Sequence, residues 1–240
     1  IWDYSLGPSQ VTSLYTKYSQ SNGIGDSYSP EDAAFYWKLN DGTGNTSVHF
    51  FDNKSTYLYF DGVDDWVQTK NAADEEDFAI ADEGDFTVSA WAKANSSSSG
   101  LMEILSQGKV GQNFYLGSHH TGDKIRAGGF WEDTGVDFPR DDKWHHYVVT
   151  KSASNTHLYL DGTLAASKGS AIGNPAEDGT GLRIGRQYGT AGEYFHGSIA
   201  DVTIWNGDAL IAEEIKSLYN DGVPLFAAPL REQSNYNSQS

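Results

Sequence analysis

From residue 35 to residue 205 the chain consists of short segments in which hydrophobic and polar residues alternate, separated by turns rich in Gly and Asp. Alternation with a period of two residues is typical of a β-strand with one buried face. The clearest of these segments read FTVSAWAK, KWHHYVVTK, HLYLDGTLAAS and FHGSIADVTIW. About a dozen such strands at short spacing predict an all-β sandwich or jelly roll.

The phase of the alternation indicates which faces are buried. In FTVSAWAK, Phe86 and Val88 share one face and Trp91 lies on the other. Both faces of WHHYVVT carry apolar or aromatic residues, so this strand is predicted to be central in its sheet. In GSIADVTIW the hydrophobic phase changes between Ile199 and Val202. Either a β-bulge or burial of both faces would explain that change.

Two similar stretches, which share Ile-Trp at the start and Ser-Leu-Tyr at the end, lie near opposite ends of the chain. IWDYSLGPSQVTSLY begins at Ile1, and IWNGDALIAEEIKSLY begins at Ile204. Each is predicted to be the end of a strand, a loop and a short amphipathic helix, because apolar residues recur at helical spacing in its last part. A repeat over so long a distance indicates whole domains in tandem.

This repeat predicts four parts in the chain. Residues 1–18 are the C-terminal strand and helix of a preceding repeat, and residues 19–34 are a linker. Residues 35–222 are one complete domain, and residues 223–240 are a linker to a following repeat. Both linkers are polar and lack hydrophobic periodicity, which is typical of connecting segments.

The charge balance excludes several classes of partner. There are 33 Asp and Glu against 16 Lys and Arg, a formal net charge of −17. Such a surface repels nucleic-acid backbones and anionic membranes, so we expect no nucleic-acid partner. No apolar run approaches the roughly 20 residues of a membrane span, so we expect no membrane insertion. The chain has no Cys, which excludes disulfides and thiolate metal sites.

Six stretches resemble, in order and spacing, the laminin-G-like domains of the concanavalin A-like lectin/glucanase superfamily. They are YLYFDGVDDWVQT, FTVSAWAK, ILSQG, KWHHYVVTKSASNTHLYLDGTLAAS, LRIGR and GSIADVTIWNGDALIAEEIKSLYNDG. The resemblance implies a jelly-roll sandwich of two curved antiparallel sheets with a short C-terminal helix. Tandem copies without Cys also resemble the large repeated surface proteins of marine bacteria and their phages.

The same resemblance implies a calcium ion at the edge of the sandwich. Carried over to this chain, Asp201 in the last strand supplies a carboxylate and the turn at Asp41 supplies carbonyl oxygens. The last strand holds one acid where the family often has a pair. Asp61 and Asp161 also lie in Asp-Gly turns. The alternative to calcium binding for these two residues is that their side chains only cap the backbone of their own turns.

The superfamily also contains glucanases, so catalysis needs a separate test. A retaining glycosidase needs two carboxylates about 5–5.5 Å apart. The strand motif Glu-X-Asp-X-X-Glu of glucanases is absent, and the acidic stretch ADEEDFAIADEGDF is predicted to be a loop. The sequence shows no nucleophile elbow and no zinc-protease motif. We therefore expect no enzymatic activity.

Sugar recognition uses aromatic faces that stack on sugar rings, together with planar polar side chains that bind hydroxyl groups. Three loops offer such residues: SHHTGDK, FWEDTGVDFPRDD and RQYGTAGEY. The predicted sugar-binding residues are Trp131, Tyr188, His119, Arg140 and Asp133. Each has a structural alternative; Trp131, for example, could be a core residue at the end of a strand.

Three functional hypotheses follow. The first is a noncatalytic glycan-binding or adhesion module of a repeated extracellular or virion-surface protein, with a glycan or surface polysaccharide as ligand. The second is a purely structural jelly-roll module of a virion, fibre or sheath, which assembles with neighbouring repeats or subunits through its edges. The third is an accessory domain of a polysaccharide-degrading enzyme. All three place the protein outside the cell or on a cell or virion surface, and the choice among them depends on family analogy.

Overall fold

A computed structural model describes most of the predicted domain. The described residues are 35–37, 57–68, 80, 84–109, 112–119, 123–128, 131, 133–152, 155–169, 182–188 and 192–222. The predicted N-terminal repeat (residues 1–18), both predicted linkers and Asp41 lie outside these residues.

Within this part of the chain there are twelve strands and one α-helix. The strands are β1 (Phe35–Trp37), β2 (Leu58–Asp61), β3 (Val67–Gln68), β4 (Phe86–Ala94), β5 (Glu103–Lys109), β6 (Gln112–His119), β7 (Lys124–Ala127), β8 (His145–Lys151), β9 (Thr156–Leu160), β10 (Thr163–Lys168), β11 (Arg183–Ile184) and β12 (His196–Asn206). Helix α1 (Ala212–Tyr219) follows, and a single 3-10 turn (Asn220–Gly222) ends the described part. This helix, eight residues long, is too short to cross a membrane.

The strands form two antiparallel sheets, which confirms the predicted sandwich. The seven-stranded sheet has the order β1-β12-β4-β8-β9-β10, with β2 also paired to β12. The five-stranded sheet has the order β3-β11-β5-β6-β7. Strand β8 lies between β4 and β9, so the prediction that it is central is confirmed. Asp161 and Gly162 form the tight turn between β9 and β10, both with positive φ, as the Asp-Gly pair predicts.

The side chains between the two sheets form the main hydrophobic core. Phe86 of the seven-stranded sheet and Phe114 of the five-stranded sheet meet edge to face, with ring centroids 5.8 Å apart. Both rings are fully buried, as are those of Phe60, Tyr147 and Phe195. On β4 the predicted phase is confirmed, because Phe86 and Val88 belong to this core and Trp91 does not.

Strand β12 contains a β-bulge, one of the two explanations for the change in its hydrophobic phase. Its pairing with β4 shifts between Ala200 and Thr203, which leaves one extra residue. Asp201 lies in the bulge and has a φ of 46°, in the left-handed region. Because the extra residue resets the alternation, Ile199 and Val202 both belong to the main core.

Helix α1 covers part of the outer face of the seven-stranded sheet. Ile215 is fully buried there in a second hydrophobic cluster that includes Val148, Tyr159, Trp205 and Leu210. The Glu214 carboxylate accepts a hydrogen bond of 2.8 Å from the Ile211 N–H, which caps the first turn.

The apolar residues predicted at helical spacing are Ile211, Ile215, Leu218 and Tyr219, and Ile211 is the one that does not pack against the sheet. Ile211 precedes the helix and is 57% exposed. The stripe therefore begins one turn later, at Ile215.

Substitution of Gly197 in β12 would test how closely β12 and β4 pack. Its φ is 146°, and a Cβ added there would collide with the backbone carbonyl oxygen of Lys93. We expect Gly197→Ala to lower the free energy of unfolding by at least about 2 kcal/mol, measured by urea denaturation with tryptophan fluorescence. The control is Gly135→Ala, since Gly135 also has a positive φ but open space around it, and we expect a loss of only about 1 kcal/mol. Equal losses in the two variants would contradict the close approach.

Candidate functional site

The five predicted sugar-binding residues have different surroundings in the structure. Trp131 is 8% exposed and belongs to the main hydrophobic core. His119 is also 8% exposed, on β6 opposite Lys124. Asp133 is exposed, and its carboxylate accepts a hydrogen bond of 2.8 Å from the Gly135 N–H in its own turn. The burial of Trp131 and His119 favours the structural alternative for both residues.

Arg140 connects several loops through hydrogen bonds. Its Nε and Nη2 each donate a hydrogen bond of 2.7 Å to the carboxylate of Asp123. Nη1 donates to the Ser98 hydroxyl at 2.8 Å, and Nη2 donates to the Gly100 carbonyl at 2.6 Å. Every nitrogen of the guanidinium group is thus engaged inside the protein, which gives Arg140 a structural role.

Tyr188 lies on the outer face of the five-stranded sheet. Its ring contacts that of Tyr115, with centroids 5.4 Å apart, and the Arg126 guanidinium lies 4.1 Å from the Tyr115 centroid. One nitrogen of Arg126 contacts the carboxylates of both Glu103 and Glu193. Glu103 is fully buried, so this pair of carboxylates is closed to a substrate.

A groove of about 320 Å³ lies on the outer face of the seven-stranded sheet, next to the part that α1 covers. Its lining is Tyr57, Tyr59, Lys93, Asn95, Asp142, Gly197 and Ser198. The register explains how these residues meet, since Tyr59 of β2 lies opposite Ser198 of β12, and Ser198 lies opposite Lys93 of β4. Side chains at paired positions point to the same face of a sheet. The site therefore comes from three strands that are distant in sequence.

An aromatic layer borders the groove. The rings of Tyr57 and Trp144 meet edge to face, with centroids 5.5 Å apart. The ammonium nitrogen of Lys93 lies 5.8 Å from the Tyr57 centroid and 5.5 Å from the Trp144 centroid. On the far side of the layer, Trp91 stacks on Tyr219 of α1 at 5.7 Å. Helix and groove thus share one layer of rings.

Asn95 and Asp142, two polar residues of the groove, accept hydrogen bonds from neighbouring serines. Asn95 Oδ1 accepts hydrogen bonds from the N–H and the hydroxyl of Ser97, at 2.8 and 2.6 Å. Its amide nitrogen has no hydrogen-bond partner within the described residues. The Asp142 carboxylate accepts hydrogen bonds from the hydroxyl and the N–H of Ser96, and these bonds hold its pKa below the usual range. Aromatic rings beside hydrogen-bond donors suit a ligand with a ring and many oxygen atoms.

His145 anchors the loop that carries Asp142 and Trp144. Its Nδ1 lies 2.7 Å from Asp161 Oδ2, and its Nε2 lies 3.2 Å from Asp141 Oδ1. The hydrogen bond to Asp161 raises the pKa of His145, and Asp141 adds to the shift. The Asp161 carboxylate also accepts a hydrogen bond of 2.9 Å from the N–H of His146, so it does more than cap its own turn.

His146 is packed within strand β8. Its ring stacks on Trp91 at 5.0 Å, and its Nε2 lies 2.8 Å from the Ser89 hydroxyl. Burial lowers the pKa of His146 to about 3, so the ring is neutral at neutral pH. Ser89 is only 4% exposed, so this Ser–His pair is shielded from a substrate.

Three acids in the turn between β2 and β3 could hold a metal ion. The carboxylates of Asp61, Asp64 and Asp65 lie within 4.8 Å of one another. Burial raises the pKa of Asp65, and the charges of Asp61 and Asp64 add to that shift. Asp61 Oδ1 also accepts a hydrogen bond of 2.8 Å from the Val63 N–H. Asp61 therefore caps the backbone of its own turn, which is the alternative role considered for it in the sequence.

Asp201 and Asp41 are the residues predicted to bind calcium. Asp201 is half-buried in the bulge of β12, and its carbonyl oxygen accepts a hydrogen bond of 3.5 Å from the Thr203 hydroxyl. Asp41 lies outside the described residues. A calcium-binding role for either residue stays a prediction.

The fold is thus that of a two-sheet antiparallel jelly roll with one short helix. Residues 61–216 match the laminin G-type family described as the concanavalin A-like lectin/glucanases superfamily. The chain belongs to this family, which confirms the resemblance seen in its strand motifs. A comparison with curated proteins found no significant match.

Solved structures with the same fold come from several kinds of protein. Domain 4 of an extracellular arabinanase from Geobacillus stearothermophilus, solved with arabinotriose, is 16% identical, with a TM-score of 0.53 over 78% of this chain and 97% of that one. A Trypanosoma rangeli sialidase is 13% identical, with a TM-score of 0.57 over 81% of this chain and 34% of that one. The receptor-binding domain of botulinum neurotoxin D is 13% identical, with a TM-score of 0.55 over 80% of this chain and 53% of that one. At these identities the likeness is one of fold.

The ion pairs of His145 predict a dependence of stability on pH. Because the pKa of His145 is raised in the folded state, its stabilising contribution is complete below the unfolded pKa of about 6.5 and is lost as the pH rises through the folded pKa. We expect the free energy of unfolding to fall by a few tenths to about 1 kcal/mol across this window, as is usual for partly exposed ion pairs.

The measurement compares urea denaturation of the wild-type protein and His145→Gln at pH values from about 6.5 to about 9. The buried His146 titrates in this range only in the unfolded state, so it contributes equally to both proteins and cancels in their difference. The fall should disappear in His145→Gln. It should persist in the control His157→Gln, whose ring bonds the Ser167 hydroxyl at 2.8 Å. An unchanged slope in His145→Gln would show that its ion pairs add nothing to stability.

Proposed function

We propose that the protein is a noncatalytic glycan-binding module and that the groove on the seven-stranded sheet is its binding site. The observation that carries this proposal is the meeting of two tyrosine rings (Tyr57 and Tyr59) with the amine of Lys93 and the amide of Asn95 in one concavity. Trp144 borders this concavity and packs against Tyr57 and Lys93. Amphipathic rings and convergent polar groups are the usual lining of a small-molecule site.

The carboxylates of the described residues support a noncatalytic role. Asp142 is the one carboxylate that lines the groove, and it is bonded to Ser96. Hydrolysis of a glycosidic bond generally needs two carboxylates on either side of it. Glu103 and Glu193, which lie close together elsewhere, are neutralised by Arg126.

An accessory domain of a polysaccharide-degrading enzyme is the second candidate. The arabinanase domain supports it, since this chain covers 97% of a domain that was solved with a bound trisaccharide and that belongs to an extracellular enzyme. In either case we infer an extracellular or surface location. The tandem repeat indicated by the Ile1 and Ile204 stretches would then place several copies on one chain.

The first test of the groove is a glycan array followed by titration of the best ligand. We expect Tyr57→Ala to weaken binding at least about tenfold, or about 1.4 kcal/mol, because the sugar loses an aromatic face. The matched control is Tyr188→Ala, which removes a tyrosine from the five-stranded sheet, and it should bind as the wild type does.

Three results would contradict the proposal. Loss of binding in Tyr188→Ala alone would move the site to the five-stranded sheet, and an array without any signal would favour a purely structural module. Release of reducing sugar from β-glucans or arabinans would show that the protein is an enzyme. Circular dichroism of each variant checks that its fold is intact.

We also infer that calcium binds at Asp61, Asp64 and Asp65. Calcium prefers carboxylate and carbonyl oxygens, and it would relieve the repulsion that helps raise the pKa of Asp65. At a concentration 100 times its dissociation constant, calcium should add about 2.7 kcal/mol to the free energy of unfolding.

Thermal unfolding with CaCl2 and with EDTA measures this effect. We expect calcium to raise the Tm of the wild type and of the control Asp133→Asn, and to have no effect on Asp64→Asn. If calcium raises the Tm of Asp64→Asn but not that of Asp201→Asn, the site is the one implied by the family. If calcium does not raise the Tm of the wild type, there is no calcium site.

A further inference from the structure

Lys93 is a cation without an acidic partner. Within the described residues it forms no ion pair, and its contacts are with the rings of Tyr57 and Trp144. The two hydrogen bonds from Ser96 occupy Asp142, the acid of the groove, and Lys93 adds only a smaller electrostatic effect on it. In a chain of net charge −17, the Lys93 ammonium group is thus not in an ion pair with any acid of the described residues.

The rings fix the position of the charge. Cation–π contacts at exposed sites contribute about 0.5–1 kcal/mol each. Two such contacts hold the flexible Lys93 side chain against the aromatic layer instead of leaving it extended into solvent. A positioned ammonium group loses less conformational entropy when a ligand binds than a free one would.

Two residues of the groove supply N–H donors. Lys93 offers three N–H donors and Asn95 offers two, and both residues line the groove. Asn95 Oδ1 is already bonded to Ser97, so the amide presents its nitrogen to a ligand. The complement of such a set is a group with two acceptor oxygens and a negative charge.

We propose that the groove recognises a carboxylated sugar, with the carboxylate bound by Lys93 and Asn95 and the sugar ring against Tyr57. The proposal rests on the proposed function and names the ligand class of the same site. A single ammonium beside Asp142 suits a monoanion better than a phosphate, which carries about −1.5 to −2 charges at pH 7. A volume of about 320 Å³ is at the small end of ligand sites, which fits a short segment of a glycan.

Two sources share this chemistry, hexuronic acids and sialic acids, and the experiment separates them. Three probes are titrated by calorimetry and by tryptophan fluorescence, to which Trp144 beside Lys93 should contribute. They are trigalacturonate, sialyllactose and the neutral galactotriose. We expect the wild type to bind one acidic probe at least about tenfold more tightly than galactotriose, a difference of about 1.4 kcal/mol.

Variants of Lys93 and Asn95 test the role of each residue in binding the carboxylate. Lys93→Gln should lose the preference for the acidic probe and keep its affinity for galactotriose, whereas Lys93→Arg should keep much of the preference. Asn95→Asp preserves the oxygen bonded to Ser97 and adds a negative charge, so it should weaken acidic binding independently of Lys93. The control Lys216→Gln removes the same charge from the exposed surface of α1 and should change nothing.

The outcomes separate this proposal from the one it rests on. If the wild type binds galactotriose as well as it binds the acids, or if Lys93→Gln and Asn95→Asp keep the acidic preference, the ligand class is wrong and glycan binding stands. If no probe binds and the glycan array is also silent, both proposals fail.

Discussion

Strand β12 contributes to the main core on both sides of Asp201, through Ile199 and Val202, because the bulge at Asp201 resets its phase. Without the extra residue, either Ile199 or Val202 would point outward. The same strand pairs with β2 over its first half and with β1 over its second half, while β4 occupies its other edge. The outer face is divided accordingly, since the half before the bulge forms the floor of the groove and the half after it contributes Trp205 to the cluster under helix α1.

Aromatic stacking connects these two halves. Tyr219 of the helix, Trp91 and His146 stack with interplanar angles of 15° to 26° in each contact. Because His146 is fully shielded from water and neutral, this layer can pack against the sheet without a counterion. Trp144 and Tyr57 extend the same layer to the edge of the groove. Packing of the helix and the shape of the groove are therefore parts of one continuous arrangement of rings.

The sequence predicted the sandwich, the central β8 and helix α1, because each depends on the local spacing of hydrophobic residues. For the phase change in β12 it offered either a bulge or burial of both faces, and the register with β4 shows the bulge. It did not predict the groove. Tyr59, Ser198 and Lys93 become neighbours only through the pairing of three strands, and no local pattern reports that register. The surroundings of the predicted loop residues depend on tertiary contacts in the same way. Arg140 has the chemistry of a sugar-binding residue, but its partners Asp123 and Gly100 come from other loops and use its donors within the fold.

Recognition of an acidic sugar by an acidic protein, as proposed, requires a short-range contact. Within the described residues, the groove contains one cation, Lys93, and one carboxylate, Asp142, which is already bonded to Ser96. At an ionic strength of 0.1 M the Debye length is about 10 Å, so the charges spread over the domain are largely screened from a ligand approaching the groove. Lys93 lies beside aromatic rings, where solvent screens a contact less. The net charge of −17 opposes long polyanions, which must lie along the acidic surface, more than it opposes a single acidic sugar in the groove. Under this proposal the overall charge disfavours long or highly charged glycans, while Lys93 favours one charged sugar.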